Sequence, residues 1–372
     1  MRVLITVNCV GVDASAQGGL DLGGMLAERG HTVLMQVLPG SPVEAACRTA
    51  GLETAGPGLR GFSFPMGLPG FRRLLGRFLP DVVCATRADG QTAMALVAPA
   101  TPLVRIRCDI RKPATGRLWR LVDRRTDLVV FPSSFMIRRG YQAHRSGPVS
   151  VIPNPVDTVR FSTCESSGCR VRPLLVSLAR LSPVKGHRTL IRSLTLLPEE
   201  VRAVIAGPPS QQTPEELAAY ASELGVGHRL SLAGRIEKPE ELLRKGGIGV
   251  ITSLGSEVVS RAGMEMMSCG LPVLAAATNG LCDLIDDGRT GLLHSPGNFR
   301  QLAAQAEFLL ANPSAALRMG GRARLHCMEH LSLDVVGKTW EETLCALAAG
   351  EQPPGLRVSR EADIDTLQPE GR

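Results

Sequence analysis

The sequence predicts an α/β protein made of two Rossmann-like domains, and three observations lead to this fold class. The chain has 372 residues, more than a single hydrophobic core usually organises. Short apolar runs alternate with helix-like segments along most of its length, which is typical of parallel sheets covered by helices. A small, polar stretch at 162–170 interrupts this alternation once. We therefore expect two domains, 1–165 and 166–330, facing a central cleft.

The first domain opens with an apolar strand at Val3–Val7. A buried strand explains this run better than a signal peptide, because Asn8 and Asp13 interrupt the apolar stretch. A glycine-rich turn at Gln17-Gly18-Gly19 is predicted to precede a helix at Leu20–Arg29. The other predicted elements of this domain are strands at His31–Val37, Asp81–Ala85, Pro102–Arg107 and Leu128–Phe131 and a helix at Val43–Ala50.

A second alternating series follows the polar stretch and predicts the second domain. Its predicted strands are Pro173–Ser177, Arg202–Ala206, Arg229–Ala233, Gly249–Thr252 and Pro272–Ala276, and its predicted helices are His187–Leu197, Pro214–Leu224, Pro239–Lys245 and Ser260–Cys269. A last helix, within 331–348, begins after the capping residue Ser332 and is expected to pack back toward the first domain. Residues 349–372 are polar and are predicted to be a disordered tail.

Composition limits the class of protein. No apolar run approaches the roughly 20 residues that span a bilayer. The ten cysteines include no CxxC pair, so we expect neither a disulfide framework nor a zinc site, and a reducing cytoplasm suits the chain.

Positive charge is concentrated in the first half of the chain. The net charge is +7, and residues 1–165 alone carry +8. One interpretation is the solvated surface of an arginine-rich protein; the other is a surface that meets an anionic membrane or a phosphorylated glycolipid. Nucleic acid is a less favoured partner, because aromatic residues make up only 3% and no nucleic-acid-binding motif is present.

The segment 253–275 carries the strongest indication of chemistry. Glu257, Arg261 and Glu265 are spaced by four residues, which would place all three on one face of a helix. A salt-bridge ladder on a solvated helix is one explanation. The neighbouring side chains are apolar, however, and burying acids is costly unless they bind something.

A second segment, 177–187, brings Arg180 and Lys185 into the loop after a predicted strand. Fixed cations stabilise a diphosphate most strongly when it leaves and its negative charge grows, so such a loop suits transfer of a group from a nucleotide. Two solvated cations in a surface loop remain the alternative.

These segments resemble those of family-4 retaining glycosyltransferases, which have the GT-B fold. Glu257 and Glu265 match the family's E-x7-E signature, and Arg180 and Lys185 lie in a segment similar to its Gly-Arg-Leu-Xaa-Xaa-Xaa-Lys-Gly loop. Val258-Val259-Ser260 stands where the family usually has Gly-Phe-Gly. Further similar segments are 26–33, 151–157, 205–208, 232–236, 268–273 and 279–293.

The resemblance implies a role for each matching residue. Glu265 would hold the ribose hydroxyls of the nucleotide, Glu257 would contact the donor sugar, and Arg180 and Lys185 would neutralise the diphosphate. We expect Glu257, Arg180 and Lys185 to be catalytic. The remaining predicted donor-binding residues are Val258, Val259, Ser260, Gly207, Arg235, Ile236, Gly18 and Gly19. The nucleotide sugar is a co-substrate; no other cofactor and no metal is expected.

The acceptor side departs from the family pattern, because the histidine that many members place after the strand corresponding to Leu103–Arg107 is absent. Polar residues at the ends of predicted strands stand in this region and would hold an anionic or hydroxyl-rich acceptor: Arg87, Asp89, Arg107, Asp109 and Arg111. Structural Arg–Asp salt bridges are the alternative. The segment Arg107-Cys108-Asp109-Ile110-Arg111 is similar to that of a branch acting on lipopolysaccharide or other surface glycans.

The sequence therefore predicts a retaining glycosyltransferase that moves a sugar from a nucleotide-sugar donor to a hydroxyl of a surface glycan or glycolipid. We expect it in the cytoplasm, with peripheral attachment to the inner face of the membrane, and with no nucleic-acid partner. Two alternatives stay open: a non-catalytic subunit of the same fold that binds nucleotide sugars, and a nucleotide-sugar epimerase.

Overall fold

In the computed structural model, the chain forms two compact units. The structure describes residues 1–61, 63–97, 100–108, 116–141, 147–163, 171–255 and 257–354. Unit 1 contains Met1–Pro155 and the residues from Val336 onward, and unit 2 contains Val156–Val335. The division lies ten residues before the predicted domain boundary at 165/166, and residues 164–170 of the predicted linker lie outside the described ranges.

Unit 1 is built on a sheet of seven parallel strands in the order β3-β2-β1-β4-β5-β6-β7. The strands are β1 (Arg2–Val7), β2 (Thr32–Val37), β3 (Glu53–Ala55), β4 (Val82–Ala85), β5 (Leu103–Ile106), β6 (Leu128–Phe131) and β7 (Val149–Val151). In the central register, Val3 lies opposite Val33 of β2 and Val82 of β4. The order reverses between β1 and β4, so this sheet has the switch point at which Rossmann-like folds bind ligands.

Helices cover both faces of this sheet. They are α1 (Ala14–Glu28), α2 (Pro42–Thr49), α3 (Ser63–Phe78), α4 (Ala88–Val97), α5 (Arg117–Arg124) and α6 (Ser134–Arg138). Because crossovers between parallel strands are right-handed, α1 and α2 cover one face, and α3 to α6 cover the other. Within that second layer, α4 packs against both α3 and α5.

The predicted turn at Gly18-Gly19 is wrong, because both glycines lie inside α1. The helix begins at Ala14, where the Asp13 carboxylate accepts hydrogen bonds from the backbone N–H groups of Ser15 and Ala16. Glycine is required for packing instead: a Cβ at Gly19 would lie 2.7 Å from Cγ2 of Val7. Gly19 thus lets α1 approach β1 closely.

Glycines and prolines conceal α3 in the sequence. Pro69 lies inside the helix, and three further glycines and prolines, Pro65, Gly67 and Gly70, precede Phe71 within it. Tertiary packing holds this helix in place, because Phe71, Leu75 and Phe78 are buried in one cluster with residues of β1 and β4.

Unit 2 is built on a sheet of six parallel strands in the order β10-β9-β8-β11-β12-β13. These are β8 (Leu174–Leu178), β9 (Arg202–Ala206), β10 (Leu230–Gly234), β11 (Ile248–Ile251), β12 (Val273–Ala276) and β13 (Gly291–His294). The helices are α7 (His187–Leu194), α8 (Pro214–Glu223), α9 (Pro239–Leu243), α10 (Arg261–Ser268), α11 (Leu281–Leu284), α12 (Phe299–Ala311) and α13 (Pro313–His326). The α/β fold of two parallel-sheet, Rossmann-like domains is confirmed.

The last helix, α14 (Leu333–Ala348), returns the chain to unit 1. Its Glu341 carboxylate lies 3.6 Å from Nε of Arg29 and 2.9 Å from Nε2 of His31, both at the end of α1. Gly337 sits where a Cβ would lie 2.4 Å from the Arg29 guanidinium. The helix therefore packs where α1 passes into β2.

No helix in the described ranges is long and apolar enough to cross a membrane.

Candidate functional site

The strand order of unit 2 reverses between β8 and β11, and the loops that follow these two strands meet at the carboxyl edge of the sheet. The Thr252 hydroxyl donates a 2.9 Å hydrogen bond to the carbonyl oxygen of Lys185. The backbone N–H of Leu254 donates to the carbonyl oxygen of Val184 at 2.7 Å. Ligands of doubly wound sheets bind at this place, outside the carboxyl ends of the strands.

The close approach of the two loops depends on Gly186. Its φ is +67°, in the left-handed region that favours glycine, and a Cβ there would lie 2.0 Å from the carbonyl oxygen of Thr252. The Lys185 ammonium is therefore carried by the residue directly before Gly186, which lets the two loops touch.

At this junction Lys185 and Glu257 form an ion pair. One carboxylate oxygen of Glu257, Oε1, accepts both from the Lys185 ammonium and from the Ser253 hydroxyl, the latter at 2.6 Å. Glu257 is only 7% exposed and Ser253 only 1%. Among the described residues, none donates to the other oxygen, Oε2. The carboxylate is thus fixed from one side and leaves Oε2 for a ligand.

Glu257 does not lie on a helix with Arg261 and Glu265, as the four-residue spacing predicts. The helix α10 begins at Arg261, because the Ser260 side chain caps it by accepting from the N–H of Gly263 at 3.2 Å. Glu257 precedes this cap in the loop, where Val258 and Val259 are half-buried. The predicted single face of three charges is therefore wrong, although Glu265 does lie on α10.

Glu265 is a carboxylate that accepts no hydrogen bond from another described residue. Burial raises its pKa from 4.5 to about 7, and the charges of Arg261 and Arg160 lower the pKa by less. The structure gives it no hydrogen bond or ion pair with another described residue. A poorly solvated acid with unfilled acceptor positions is suited to accept hydrogen bonds from a ligand.

Arg180 lies in the loop after β8, with an exposed side chain. Its carbonyl oxygen is 3.0 Å from Nε2 of the buried His187, and because a carbonyl only accepts, Nε2 carries the proton. Burial lowers the pKa of His187, so the imidazole is neutral at pH 7. His187 thus holds the backbone of this loop in place. The Arg180 guanidinium makes no hydrogen bond or ion pair with another described residue.

The loops after β9 and β10 extend the same edge. A Cβ at Gly207 would lie 2.0 Å from the carbonyl oxygen of Ala179, and the N–H of Gly207 donates to the carbonyl oxygen of Gly234 at 2.7 Å. Arg235 and Ile236 follow directly, the first exposed and the second half-buried. The predicted residues Gly207, Arg235 and Ile236 therefore lie in adjoining loops beside Arg180.

The loop after β12 closes the other end of this edge. The N–H of Gly280 donates to the carbonyl oxygen of Glu257 at 2.9 Å, and a Cβ at Gly280 would lie 1.9 Å from the carbonyl oxygen of Val258. Asn279 takes the left-handed conformation at φ +48°, and its Nδ2 donates to the carbonyl oxygen of Gly255 at 2.5 Å. This asparagine therefore adopts a backbone that glycine favours, as the family's usual residue would.

Ser253 is the residue of this site to which sequence reasoning assigns no role. Its position four residues before Glu257 is visible in the sequence, but the spacing lies in a loop, where it does not predict contact. Only the fold of that loop brings the hydroxyl to Oε1.

In unit 1 a second charged cluster lies at the switch point between β1 and β4. The Arg87 guanidinium lies between two carboxylates, 3.8 Å from Asp13 and 3.9 Å from Asp89. Burial raises the pKa of Asp89, while the N–H of Gly90 and the charge of Arg87 oppose this effect. Nearby, burial and the Asp13 charge raise the pKa of Cys9 to about 11, so this thiol stays protonated.

The other predicted residues of unit 1 lie apart from this cluster or outside the described ranges. Arg107 follows β5, and its Nη1 donates to the carbonyl oxygen of Tyr141 at 2.9 Å. Asp109 and Arg111 lie outside the described residues. Gly18 is in α1, where a Cβ would lie 3.8 Å from Sγ of Cys108.

Within the described ranges no three His, Cys, Asp or Glu side chains are grouped so that they could hold a metal ion.

Two family models match this chain, one in each half. A model described as glycosyl transferases group 1 matches residues 170–326, and a model described as glycosyltransferase family 4 matches residues 19–160. Together they include Arg87, Lys185, Glu257 and Glu265, whereas β1, Asp13 and Gly18 precede the matched residues.

Two curated relatives are similar over part of the chain. A GDP-mannose-dependent α-(1-6)-phosphatidylinositol monomannoside mannosyltransferase of Mycolicibacterium smegmatis is 27% identical over 271 residues, which are 67% of this chain and 68% of that protein. A D-inositol 3-phosphate glycosyltransferase of Mycolicibacterium gilvum is 29% identical over 235 residues, 60% of this chain and 50% of that protein. The match thus spans only half the length of the second relative.

The fold has solved counterparts. The Anabaena protein Alr3699/HepE in complex with UDP superposes with a TM-score of 0.82 at 20% identity, covering 93% of this chain and 100% of that chain. The same protein has also been solved with UDP-glucose.

Proposed function

Since this chain belongs to glycosyltransferase family 4 and is an enzyme of that class, we propose that it moves a sugar, with retention of anomeric configuration, from a nucleotide-sugar donor to a hydroxyl of a surface glycan or glycolipid. The observation that carries this proposal is the junction of Lys185, Glu257 and Ser253 at the switch point of unit 2. At this junction Lys185 supplies a cation for the leaving diphosphate. Glu257 supplies a carboxylate whose Oε2 can accept a hydrogen bond from a sugar hydroxyl.

In the proposed reaction, the bond between the anomeric carbon and the diphosphate oxygen breaks and the electron pair stays with the diphosphate. Lys185 and Arg180 stabilise this growing charge more in the transition state than in the bound donor. The acceptor oxygen attacks the same face of the sugar, and its proton passes to the departing phosphate oxygen. No protein base is needed for that transfer, and the proposal requires no metal.

Glu257 and Glu265 act on different parts of the donor in this proposal. Glu265 accepts from the ribose hydroxyls, since it is a poorly solvated acid that accepts no hydrogen bond from another described residue. Glu257 accepts from a hydroxyl of the donor sugar through Oε2. Val258, Val259 and Ser260, with Gly207, Arg235 and Ile236, complete the donor edge through their loops.

The acceptor is proposed to bind in unit 1, where Arg87 and Asp89 supply a donor and an acceptor of hydrogen bonds. The two curated relatives are named for inositol-containing acceptors that carry phosphate, and the N-terminal half of this chain is basic. We place the reaction in the cytoplasm at the inner face of the membrane, where a glycolipid acceptor would lie.

The first experiment is a thermal-shift and calorimetry screen of UDP, GDP, ADP and their common sugars. GDP and UDP come first, because one of the two relatives is named for GDP-mannose and the solved counterpart has been solved with UDP-glucose. We expect one nucleotide to stabilise the wild type and to lose that effect in Glu265→Ala. The matched control Glu223→Ala removes an exposed acid from α8 and should bind normally.

The outcome also distinguishes the proposed enzyme from a non-catalytic subunit. The observation that favours such a subunit is Val258-Val259-Ser260, which stands in place of the family's usual Gly-Phe-Gly. Nucleotide binding together with slow release of free sugar from the donor supports transfer. Binding of the donor without release of sugar or formation of product, with every acceptor class tried, would favour the non-catalytic subunit. A folded protein that binds no nucleotide would contradict the proposal.

A further inference from the structure

One layer of helices in unit 1, formed by α3, α4 and α5, carries an unusual surface. Six exposed arginines project from α3 and α5: Arg72, Arg73, Arg77, Arg117, Arg120 and Arg124. We call these side chains the basic face. No acidic residue occurs between Glu53 and Asp81, so α3 offers them no counter-charge.

The arginines of the basic face make no side-chain hydrogen bond or ion pair with any described residue. Arginines elsewhere in the same unit behave differently. Arg48 pairs with Glu44 at 2.8 Å, Arg29 lies 3.6 Å from Glu341, and Arg87 lies between two carboxylates. On α3 and α5 the basic face thus collects six arginines that have no such partner among the described residues.

The spacing within the two helices makes this arrangement costly for folding. Arg73 and Arg77 are four residues apart, and so are Arg120 and Arg124. Like charges at this spacing lie on one side of a helix and repel each other. A partner of opposite charge would relieve that repulsion.

Apolar side chains are exposed on the same layer. Met66 of α3 is 83% exposed, Leu79 directly after α3 is 64% exposed, Leu96 of α4 is 46% exposed and Leu121 of α5 is 42% exposed. Apolar groups interleaved with arginines are typical of helices that lie in the interface of a bilayer, with the apolar groups below the lipid head groups and the cations among them.

We infer that the α3–α4–α5 layer docks unit 1 on an anionic lipid bilayer. This inference deepens the proposed function and rests on it in one respect, namely that the acceptor lies at a membrane. Charge complementarity selects anionic lipid, and the exposed Met66, Leu79 and Leu121 distinguish it from nucleic acid, whose phosphates offer no apolar phase.

The test measures binding of the full chain to sedimented vesicles. The vesicles are either pure phosphatidylcholine or phosphatidylcholine with 30% phosphatidylglycerol, roughly the anionic fraction of a charged leaflet. We expect binding to the anionic vesicles only, reversed by high salt. The variant R72Q/R73Q/R77Q should lower the partition coefficient by about 100-fold, since each lost arginine near the surface weakens binding several-fold. The variant R117Q/R120Q/R124Q should do the same.

A matched control removes three exposed arginines from unit 2, in the variant R172Q/R318Q/R322Q. It changes the net charge equally and should leave vesicle binding unchanged. Equal loss in the control, or equal binding to neutral vesicles, would overturn the inference. So would failure of the folded wild type to bind anionic vesicles, or binding of a short DNA duplex through the same arginines without vesicle binding.

The apolar contribution is measured separately with M66S/L79S. We expect weaker binding whose salt dependence is unchanged, because the number of ionic contacts stays the same. Nucleotide stabilisation is followed in every variant. A wild type that binds vesicles but is not stabilised by any nucleotide would contradict the proposed donor site and leave the docking inference standing. If R72Q/R73Q/R77Q is still stabilised by nucleotide, only the basic face has changed in that variant.

Discussion

Lys185 and Glu257 form an ion pair although 72 residues separate them in the sequence. The pair exists because the loops after β8 and β11 meet at Gly186 and Thr252. A side chain at position 186 would collide with the Thr252 carbonyl oxygen, so only glycine fits there. Each charge is mostly buried, the Lys185 side chain being 16% exposed and that of Glu257 9%. The donor diphosphate would therefore enter a site in which its cation already has an acidic partner.

The pair makes a first prediction, on stability and turnover together. Lys185→Met and Glu257→Gln should each lower the free energy of unfolding by about 1–3 kcal/mol, because each leaves its partner unpaired in a poorly solvated place. The double variant should lose less than the sum, measured by urea unfolding as a double-mutant cycle. Turnover should fall by about 100-fold or more in both single variants. Strict additivity of the unfolding energies would show that the two groups do not interact.

The half-buried acid Glu265 makes a second prediction, in which stability and binding move in opposite directions. Its folded pKa of about 7 lies above its ordinary 4.5, so the ionised carboxylate destabilises the folded state fully above pH 7 and not at all below pH 4.5. Glu265→Gln should therefore unfold at higher temperature than the wild type at pH 8, with the difference vanishing toward pH 4.5. At about 1.4 kcal/mol per pKa unit, the gain is about 3 kcal/mol at most.

The same Glu265→Gln variant should bind the nucleotide at least tenfold more weakly, because the amide accepts fewer hydrogen bonds from the ribose. The control Glu223→Gln, on the exposed side of α8, should change neither property. A variant that is less stable at pH 8 and binds normally would contradict both the burial of the carboxylate and its role in donor binding.

Ser253 is predicted to act as a positioning residue through Glu257. Ser253→Ala removes the 2.6 Å hydrogen bond to Oε1 and should lower kcat by about tenfold, with the KM for the donor little changed, because Lys185 still holds the carboxylate in place for binding. Steady-state kinetics check this split. Ser231→Ala, on β10 of the same unit, is the control. A change in protein stability with kcat intact would assign Ser253 a structural role only.

Arg87 is predicted to bind the acceptor. Arg87→Gln should raise the KM for the acceptor by about tenfold and leave nucleotide binding unchanged, since its carboxylate neighbours Asp13 and Asp89 lie in unit 1. The control is Arg48→Gln, which breaks an exposed pair with Glu44 in the same unit. Should Arg87→Gln lower only the melting temperature, the cluster would be a structural salt bridge, the alternative that the sequence leaves open.

The strand–helix alternation and the family could be predicted from the sequence because both depend on local signals. Apolar runs such as β1 and the spacing of Glu257 and Glu265 are readable residue by residue. The sequence does not predict the start of α1, because Gly18 and Gly19 look like a turn unless it is known that Val7 lies against Gly19. The position of these glycines inside a helix depends on packing between α1 and β1, and no local sequence pattern contains that information.

The candidate site shows the same limit. Spacing and the family resemblance predict Arg180, Lys185, Glu257 and Glu265 as site residues, but the spacing also places Glu257 on a helix that in fact begins four residues later. The capping side chain of Ser260 decides that boundary. Ser253 escaped assignment because its contact depends on the course of a loop, and α3 was missed because its helix is stabilised by Phe71, Leu75 and Phe78 rather than by helix-forming residues.

The return of α14 to unit 1 has a consequence for how the protein is made. The ribosome completes the whole of unit 2 before it synthesises Glu341, which contacts Arg29 and His31. During that interval the end of α1 lacks its covering helix, so the first unit to be synthesised is the last to be finished. No single cut can separate the two units as contiguous fragments, and a nascent chain released early would present the bare flank of α1 to chaperones and proteases.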